Sequence, residues 1–308
     1  MTNDLNYFLQ SLLKFIPFSI LFCVVGICLW GDFVPNLITK NLAKKEMIPG
    51  FMENRIADLT KTKEVDILFL GSSHAYRGFD TRLFKDAGYS SFNLGSSNQT
   101  PLQTEILLQR YLKQLQPKLV IYEVYPNTFS VDGVESTLDL LVNDKLDSNL
   151  LKLALKQNDI TIYNTLIYSY YQNLFQKEQS TVIPFQKEED NYIANGYVES
   201  EVTSSKKYSY KPQEYLFKSN QFDQFEKNLE ILKKGNCKVI LIQAPITKAL
   251  YNSYSNNEFF DLKMKSYATY FNFNELMELN DSLHFYDDHH LNQKGVALFN
   301  QEIIKKIR

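Results

Sequence analysis

An uncharged apolar segment near the N-terminus constrains this chain more than any other feature. Residues 15–31 carry no charged side chain and consist mostly of Ile, Leu, Val and Phe, with Trp30 near the end. Such a run fits a short membrane-spanning helix or the core of a signal peptide. Apolar residues extend it across Lys14, and no small-x-small cleavage site follows Trp30. The sequence therefore favours a retained single-span anchor whose partner is the lipid bilayer.

The lysines around this segment bear on its orientation. Lys40, Lys44 and Lys45 follow the segment, whereas Lys14 and the terminal amine precede it. By the positive-inside rule, this distribution predicts a cytoplasmic position for the rest of the chain.

The composition of the whole chain narrows the class of protein. With 44% hydrophobic and 14% aromatic residues, the chain is not disordered, and its 11 Gly and 9 Pro exclude a collagen-like or low-complexity protein. A net charge of -2 gives no basic surface, so no nucleic-acid partner is expected. We expect one folded domain on a tether.

Strand and helix patterns alternate after residue 62, which predicts a parallel sheet covered by helices on both faces. Strand-like runs occupy residues 65–70, 91–94, 119–124 and 239–243, and helical patterns occupy residues 81–87, 103–114, 222–234 and 293–306. We therefore predict an anchor and collar over residues 1–62 and an α/β domain over residues 63–308. A Leu-rich and then Tyr-rich stretch at about 130–218 interrupts this rhythm and is interpreted as a helical insertion or lid.

A small-residue turn follows the first predicted strand. It reads Gly71-Ser72-Ser73-His74, at the sheet edge where open parallel sheets bind their ligands. A serine there presents its hydroxyl beside backbone N–H groups that could receive an oxyanion. Taken alone, the turn fits a simple helix cap equally well.

Near the C-terminus, Asp287 and His290 lie three residues apart, just before the last predicted helix. On a tight turn this spacing lets the carboxylate bind the imidazole Nδ1–H, as in a serine hydrolase triad. The alternatives are a solvated turn or a metal site formed with the neighbouring Asp288 and His289. No other part of the sequence supplies an evident set of His or Cys ligands.

Together these residues resemble the SGNH/GDSL hydrolase superfamily, whose first block ends in the nucleophilic serine and whose last block is Asp-x-x-His. Here the blocks are Gly71-Ser72-Ser73, without the family's aspartate, and Asp287 to His290 followed by Leu-Asn-x-x-Gly. The resemblance implies a flavodoxin-like three-layer α/β/α sandwich with Ser73 as nucleophile, His290 as base and Asp287 as its partner. The Gly-Ser-Ser form is similar to that of membrane-anchored members that assist D-alanylation or O-acetylation of polymers.

The resemblance also suggests oxyanion donors. These are the backbone N–H groups of Ser73 and Gly95, with the side chain of Asn127 and, as its alternative, that of Asn98. Both asparagines also suit ordinary turns. The third block of the family, Gly-x-Asn-Asp, has no full equivalent here.

Several other residues are candidates with competing explanations. Arg77 could bind a carboxylate or phosphate of the substrate, or form a structural ion pair. We expect His74 to be a helix cap or a surface residue, and Asp281 with His284 to be a second-ranked Asp-x-x-His pair. If the insertion covers the site, the tyrosines that wall the cleft are Tyr168, Tyr170 and Tyr171.

The resemblance implies a membrane-anchored serine esterase or O-acyltransferase that acts on acyl esters of envelope or exopolysaccharide. It needs no metal and no organic cofactor. It would work beside a membrane-bound O-acyltransferase on an acylated carbohydrate polymer, with its domain outside the cytoplasm, against the indication from the lysines. The alternative is a noncatalytic scaffold of the same fold that docks a membrane enzyme or polymer through the insertion.

Overall fold

The protein was analysed as a computed structural model that describes residues 2–48, 50–175, 184–203 and 208–308. The strands are β1 (Ile67–Leu70), β2 (Ser91–Asn93), β3 (Leu119–Glu123), β4 (Gln186–Lys187), β5 (Asp190–Ala194), β6 (Tyr197–Ser200), β7 (Lys238–Gln243) and β8 (Thr269–Asn272). The helices are α1 (Thr2–Phe33), α2 (Met52–Leu59), α3 (Ser73–Gly78), α4 (Thr81–Asp86), α5 (Pro101–Leu115), α6 (Val134–Asn143), α7 (Ser148–Gln157), α8 (Ile160–Leu174), α9 (Ser219–Lys234), α10 (Lys248–Tyr251), α11 (Asn257–Tyr267), α12 (Phe273–Leu276) and α13 (Gln293–Ile307).

A five-stranded sheet in the order β2-β1-β3-β7-β8 forms the centre of the domain, and every neighbouring pair is parallel. Numbered along the chain, these five strands follow the order 2-1-3-4-5 of flavodoxin-like folds. The predicted fold class is confirmed. Strand β8 was not predicted, because this short strand is only partly buried and carries no continuous apolar run.

Successive side chains of β1 enter two different cores, one on each face of the sheet. Leu68 and Leu70 pack with apolar residues of α5 and α9. Ile67 and Phe69 pack on the opposite face with residues of α4 and α13. This alternation follows from the two-residue period of a strand, and it gives the three layers of an α/β/α sandwich.

The insertion at 130–218 begins with helices and continues as a small sheet. Helices α6, α7 and α8 pack against one another, as the predicted helical insertion requires. They are followed by a small antiparallel sheet, β4-β5-β6, which the sequence did not reveal.

The long first helix confirms the prediction of one continuous helix through residues 15–30. Helix α1 includes Pro17 without ending there, and its apolar side chains are largely exposed. Within the described ranges it is the one helix long and apolar enough to cross a membrane. Among the described residues between α1 and β1, the predicted collar contains one α-helix, α2, and Met52 and Leu59 of α2 belong to the core of the domain.

The end of α1 is bound to α8. Asp32 accepts hydrogen bonds from the hydroxyls of Tyr168 and Tyr171, at 3.2 and 2.8 Å, and from the side-chain amide of Gln172, at 3.1 Å. The ring of Tyr168 lies so close to Gly31 that a Cβ there would be 2.2 Å from it. The last turn of α1 is therefore fitted to the folded domain.

Candidate active site

The turn between β1 and α3 positions Ser73. Gly71 has a φ of +136°, and a Cβ at this position would lie 2.7 Å from the side chain of Glu123 on β3. A residue with a side chain would meet both backbone strain and a clash here. The glycine therefore lets the chain pass close to β3, so that α3 begins at Ser73 at the carboxyl edge of the sheet.

Glu123 of β3 holds this turn in place through hydrogen bonds. One of its carboxyl oxygens accepts the backbone N–H of Ser72 at 3.1 Å and the Ser72 hydroxyl at 2.9 Å. The Ser72 oxygen in turn accepts the backbone N–H of His74 and caps α3. Burial raises the pKa of Glu123 to about 8, and the two bonds from Ser72 oppose that rise. These contacts hold the residue before Ser73 in one conformation.

The loop before α13 positions His290. Oδ1 of Asp287 accepts the backbone N–H groups of His289 and His290, at 2.9 and 2.6 Å. Thr247, just after β7, donates its backbone N–H and its hydroxyl to the carbonyl oxygen of Asp288. The loop is therefore held by hydrogen bonds to Asp287 within it and by those from Thr247, which follows β7.

These two segments meet as a Ser-His-Asp arrangement. The distance from Ser73 Oγ to His290 Nε2 is 2.7 Å, and that from His290 Nδ1 to Asp287 Oδ2 is also 2.7 Å. This confirms the predicted contact of Ser73 with His290. The rival pair does not form such a site: His284 Nδ1 accepts the backbone N–H of Asn280, and Asp281 accepts N–H groups of α10.

The protonation of His290 suits it to act as a base. Burial and the neighbouring His289 lower the pKa of His290 to about 4, against the opposing effect of Asp287. Burial raises the pKa of Asp287, whereas the hydrogen bond from His290 lowers it. The net result is a pKa well below the ordinary value of an aspartate. At neutral pH, His290 is therefore uncharged and Asp287 is ionised, which is the resting state of such a triad.

This shift predicts an unusual acid limb of the pH profile. Only neutral His290 can accept the Ser73 proton, so activity should fall as pH drops through its lowered pKa. We expect kcat/KM on an aryl acetate to be half-maximal near pH 4, not near the ordinary histidine value of about 6.5. Samples held at each pH and assayed after return to pH 7 control for acid unfolding. A midpoint near 6.5 would contradict the prediction.

The predicted oxyanion donors are only partly supported. The backbone N–H of Gly95 donates to the side-chain oxygen of Asn93 at 3.0 Å, so the expectation for Gly95 is wrong. The N–H of Ser73 belongs to the first turn of α3, where amides have no acceptor within the helix. Asn98 and Asn127 both line the cleft beside Ser73, but the amide of Asn98 donates to Glu135.

A cleft of about 300 Å³ opens beside Ser73. Its walls carry polar and aromatic side chains in a mixture: Ser72, Ser73, Asn98, Tyr125, Asn127, Tyr210, Gln213, Leu250, Tyr254, Asp288 and His289. Tyr254 stacks on Tyr215 with their ring centroids 3.6 Å apart, and the hydroxyl of Tyr210 donates to Asp288. Tyr254 and Tyr210 are therefore fixed by contacts of their own.

The predicted substrate-binding residues are elsewhere. Tyr168 and Tyr171 hydrogen-bond with Asp32 at the end of α1, and Tyr170 is 64% exposed on α8. None of these three tyrosines lines the cleft, because α8 packs on α1 and not over the sheet edge. Arg77 forms a two-bond ion pair with Asp190, at 2.7 and 2.6 Å, which is the structural alternative foreseen for it.

Three side chains that reach the cleft were not predicted from the sequence. Tyr210 and Gln213 come from the end of the insertion and Tyr254 from the turn after α10. No local pattern marks them, since they follow no strand of the sheet directly. His74, expected as a cap or surface residue, is instead buried beside Tyr125, with ring centroids 4.1 Å apart.

Comparisons with known proteins give only distant similarities. No family model and no curated protein matches the chain. A GDSL-like lipase of Bacteroides thetaiotaomicron is 12% identical, with a TM-score of 0.42, over 83% of this chain and 98% of that chain. A protein assigned to the G-D-S-L lipolytic family from Desulfitobacterium hafniense is 11% identical, with a TM-score of 0.40, over 79% and 99%. At such identities and scores, the superpositions carry no argument about chemistry, which must come from the site itself.

Proposed function

We propose that the protein is a membrane-anchored serine esterase or O-acyltransferase of the SGNH type, with Ser73, His290 and Asp287 as its catalytic residues. The observation that carries the proposal is the unbroken hydrogen-bond chain from Ser73 through His290 to Asp287. Ser73 lies 217 positions before His290 and 214 before Asp287 in the sequence. The three meet at the edge of the sheet where parallel α/β domains bind ligands.

In the first half of the reaction, Ser73 Oγ attacks the acyl carbonyl while its proton passes to His290 Nε2. Asp287 stabilises the imidazolium that forms. The Ser73 N–H and the side-chain amide of Asn127 are the proposed donors to the oxyanion. The bond to the leaving alcohol then breaks, His290 returns the proton to that oxygen, and the acyl group remains as an ester on Ser73.

In the second half, a water molecule or a sugar hydroxyl attacks the acyl ester. His290 takes the proton of this nucleophile and returns it to Ser73 as the acyl product leaves. Hydrolysis and transfer differ only in the acceptor, and every step uses groups of this chain.

The cleft walls support a carbohydrate ester as substrate. Tyrosine rings offer apolar faces with hydroxyl tips, and asparagine and glutamine side chains bind hydroxyl groups. Tyr125, Tyr254, Asn127 and Gln213 provide this mixture around Ser73. We therefore favour acyl esters of an envelope or exopolysaccharide, with a membrane-bound O-acyltransferase as partner, as the resemblance to anchored SGNH proteins suggests.

An extracytoplasmic domain belongs to this proposal, although three lysines after the span oppose it. Lysines beside a single span bias its orientation without fixing it. The outward orientation therefore rests on the resemblance to anchored SGNH proteins.

Replacing Tyr254 with alanine tests the assignment of substrate class. We expect kcat/KM for an O-acetylated oligosaccharide to fall about tenfold, equivalent to about 1.4 kcal/mol, because a sugar ring loses its stacking surface. An aryl acetate reaches Ser73 without that surface, so its turnover should change less than about twofold. Tyr170→Ala, which removes an exposed tyrosine outside the cleft, is the matched control. Equal losses on both substrates would contradict a carbohydrate subsite at Tyr254.

A further inference from the structure

Three of the chain's four histidines meet beside the nucleophile. His74 follows the turn after β1, whereas His289 and His290 belong to the loop before α13. The ring centroids of His74 lie 5.1 Å from those of His290 and 5.5 Å from those of His289, and the latter two are 4.0 Å apart. One ring nitrogen from each lies within 4.8 Å of the other two.

Each of these imidazoles has a carboxyl group near its Nδ1 atom. Asp287 contacts Nδ1 of His290 at 2.7 Å, and Asp288 contacts Nδ1 of His289. Glu123 lies 3.7 Å from Nδ1 of His74. A metal ion would therefore bind at Nε2 of each ring, and in His290 it would replace the hydrogen bond from the Ser73 hydroxyl. Carboxylates that orient metal-binding histidines through their other nitrogen are a recurrent arrangement in metal sites.

His74 is otherwise unexplained by the proposed chemistry. Its side chain is 2% exposed, and neither ring nitrogen has a hydrogen-bond partner among the described residues. A buried polar group without a partner is costly and calls for an explanation such as an ion or a water molecule. A small cavity of about 10 Å³, close to the room that one water-sized sphere needs, is lined by His74, His289 and His290.

We propose that His74, His289 and His290 bind a divalent transition-metal ion of the zinc class, and that its binding switches off Ser73. Neutral imidazoles suit zinc, cobalt, nickel and copper ions.

The switch follows from the single lone pair on His290 Nε2. In the metal-free arrangement this lone pair accepts the Ser73 hydroxyl at 2.7 Å. A metal–nitrogen bond of about 2.0–2.1 Å would occupy the same lone pair. Ser73 then keeps its proton and loses its base. Metal binding by itself does not depend on the proposed function, whereas the inhibitory effect rests on it.

The surrounding charges also bear on a cation here. Asp287 and Asp288 lie on the same loop as two of the ligands, and a metal ion would be attracted to their carboxylates. Arg77 lines the small cavity and would repel the ion, but its guanidinium is paired with Asp190. These two carboxylates thus outnumber Arg77, whose charge is already paired.

Cobalt binding provides a direct test that needs no activity. The full chain in detergent is stripped with a chelator, dialysed and titrated with Co²⁺ while the visible d–d absorption is recorded. We expect one equivalent of four-coordinate Co²⁺, with an affinity that falls at least about tenfold in His74→Phe. His284→Phe changes the one histidine outside the cluster and should bind as the unchanged chain does. If His74→Phe does not fold, His289→Gln is used and should lose the same affinity.

Labelling of Ser73 by a phosphonate gives the second readout. Saturating Zn²⁺ should slow labelling at least about tenfold in the unchanged chain and in His284→Phe, but less than about twofold in His74→Phe. Equal Co²⁺ affinity in His74→Phe and the unchanged chain would overturn the site. So would loss of binding in Asp288→Asn but not in His74→Phe, since that places the ion on the carboxylates. Binding of Co²⁺ without any phosphonate labelling would keep the metal site and reject the proposed serine chemistry.

Discussion

Replacing Ser73 with alanine should lower ester turnover by at least about 10³-fold and remove phosphonate labelling. The alanine side chain has no oxygen to attack the acyl carbon, and His290 Nε2 then has no hydroxyl to deprotonate at 2.7 Å. The assay compares acetate release from an aryl acetate and from an O-acetylated polysaccharide. Folding should be preserved, because the turn around Ser73 is held through Ser72 and Glu123 and not through the Ser73 hydroxyl.

Ser266→Ala is the matched control for this substitution. Ser266 lies on α11, and its hydroxyl bonds the carbonyl oxygen of Lys263, away from the cleft residues. Both variants should accumulate to the level of the unchanged protein. If Ser73→Ala still supports normal polymer acylation in cells while deletion of residues 130–218 does not, the chain is a docking protein and the enzyme proposal is wrong.

The triad could be predicted from the sequence because its parts lie in short segments with strong local constraints. Gly71 to Ser73 follows an apolar strand, and Asp287 and His290 share one tight turn. The resemblance to the first and last SGNH blocks implied that the two segments meet, and the common edge at which parallel strands end is consistent with that. The parallel sheet itself was predictable from the alternation of strand and helix patterns, apart from β8.

The remaining cleft residues could not be predicted, since their positions depend on packing between distant elements. Three tyrosines of α8 were placed over Ser73 because an insertion with so much apolar surface must pack somewhere. The structure packs α8 against α1 instead. Tyr210 and Tyr254 line the cleft beside Ser73, where the tyrosines of α8 were expected. They come from segments with no periodic pattern. Likewise, nothing next to Gly95 indicated that the Asn93 side chain would take its N–H.

The position of His74, which was not predicted from the sequence, changes the chemistry that this site could support. A metal site looked weak in the sequence because Asp288, His289 and His290 had no evident partner elsewhere in the chain. The partner was in the nucleophile turn, 215 positions before His289, where it looked like part of a helix start. These histidines become neighbours only because the loop before α13 packs against the turn after β1.

Deletion of residues 2–33 should convert a carbonate-resistant membrane protein into one that carbonate extracts. The side chains of α1 that are exposed along its length include Leu13, Phe18, Leu21 and Phe22. Burial of such side chains is worth about 1.5–3 kcal/mol each, which far exceeds what surface charge contributes to membrane attachment. The measurement is the distribution of protein between pellet and supernatant at alkaline pH. Release of the unchanged protein by carbonate would show that α1 is not an anchor.

A cleaved signal peptide would also explain an apolar helix at this position, but the mature protein would lack it. We propose that the helix is retained, because its end is fitted to the domain through Gly31 against Tyr168 and three hydrogen bonds to Asp32. Cleavage would remove Asp32 or its neighbours and leave the hydroxyl groups of two tyrosines without this acceptor. The mass of the membrane-extracted protein should therefore include α1. A mature N-terminus beyond Asp32 would instead show that these contacts exist only before processing, and that the domain reaches its substrate without a tether.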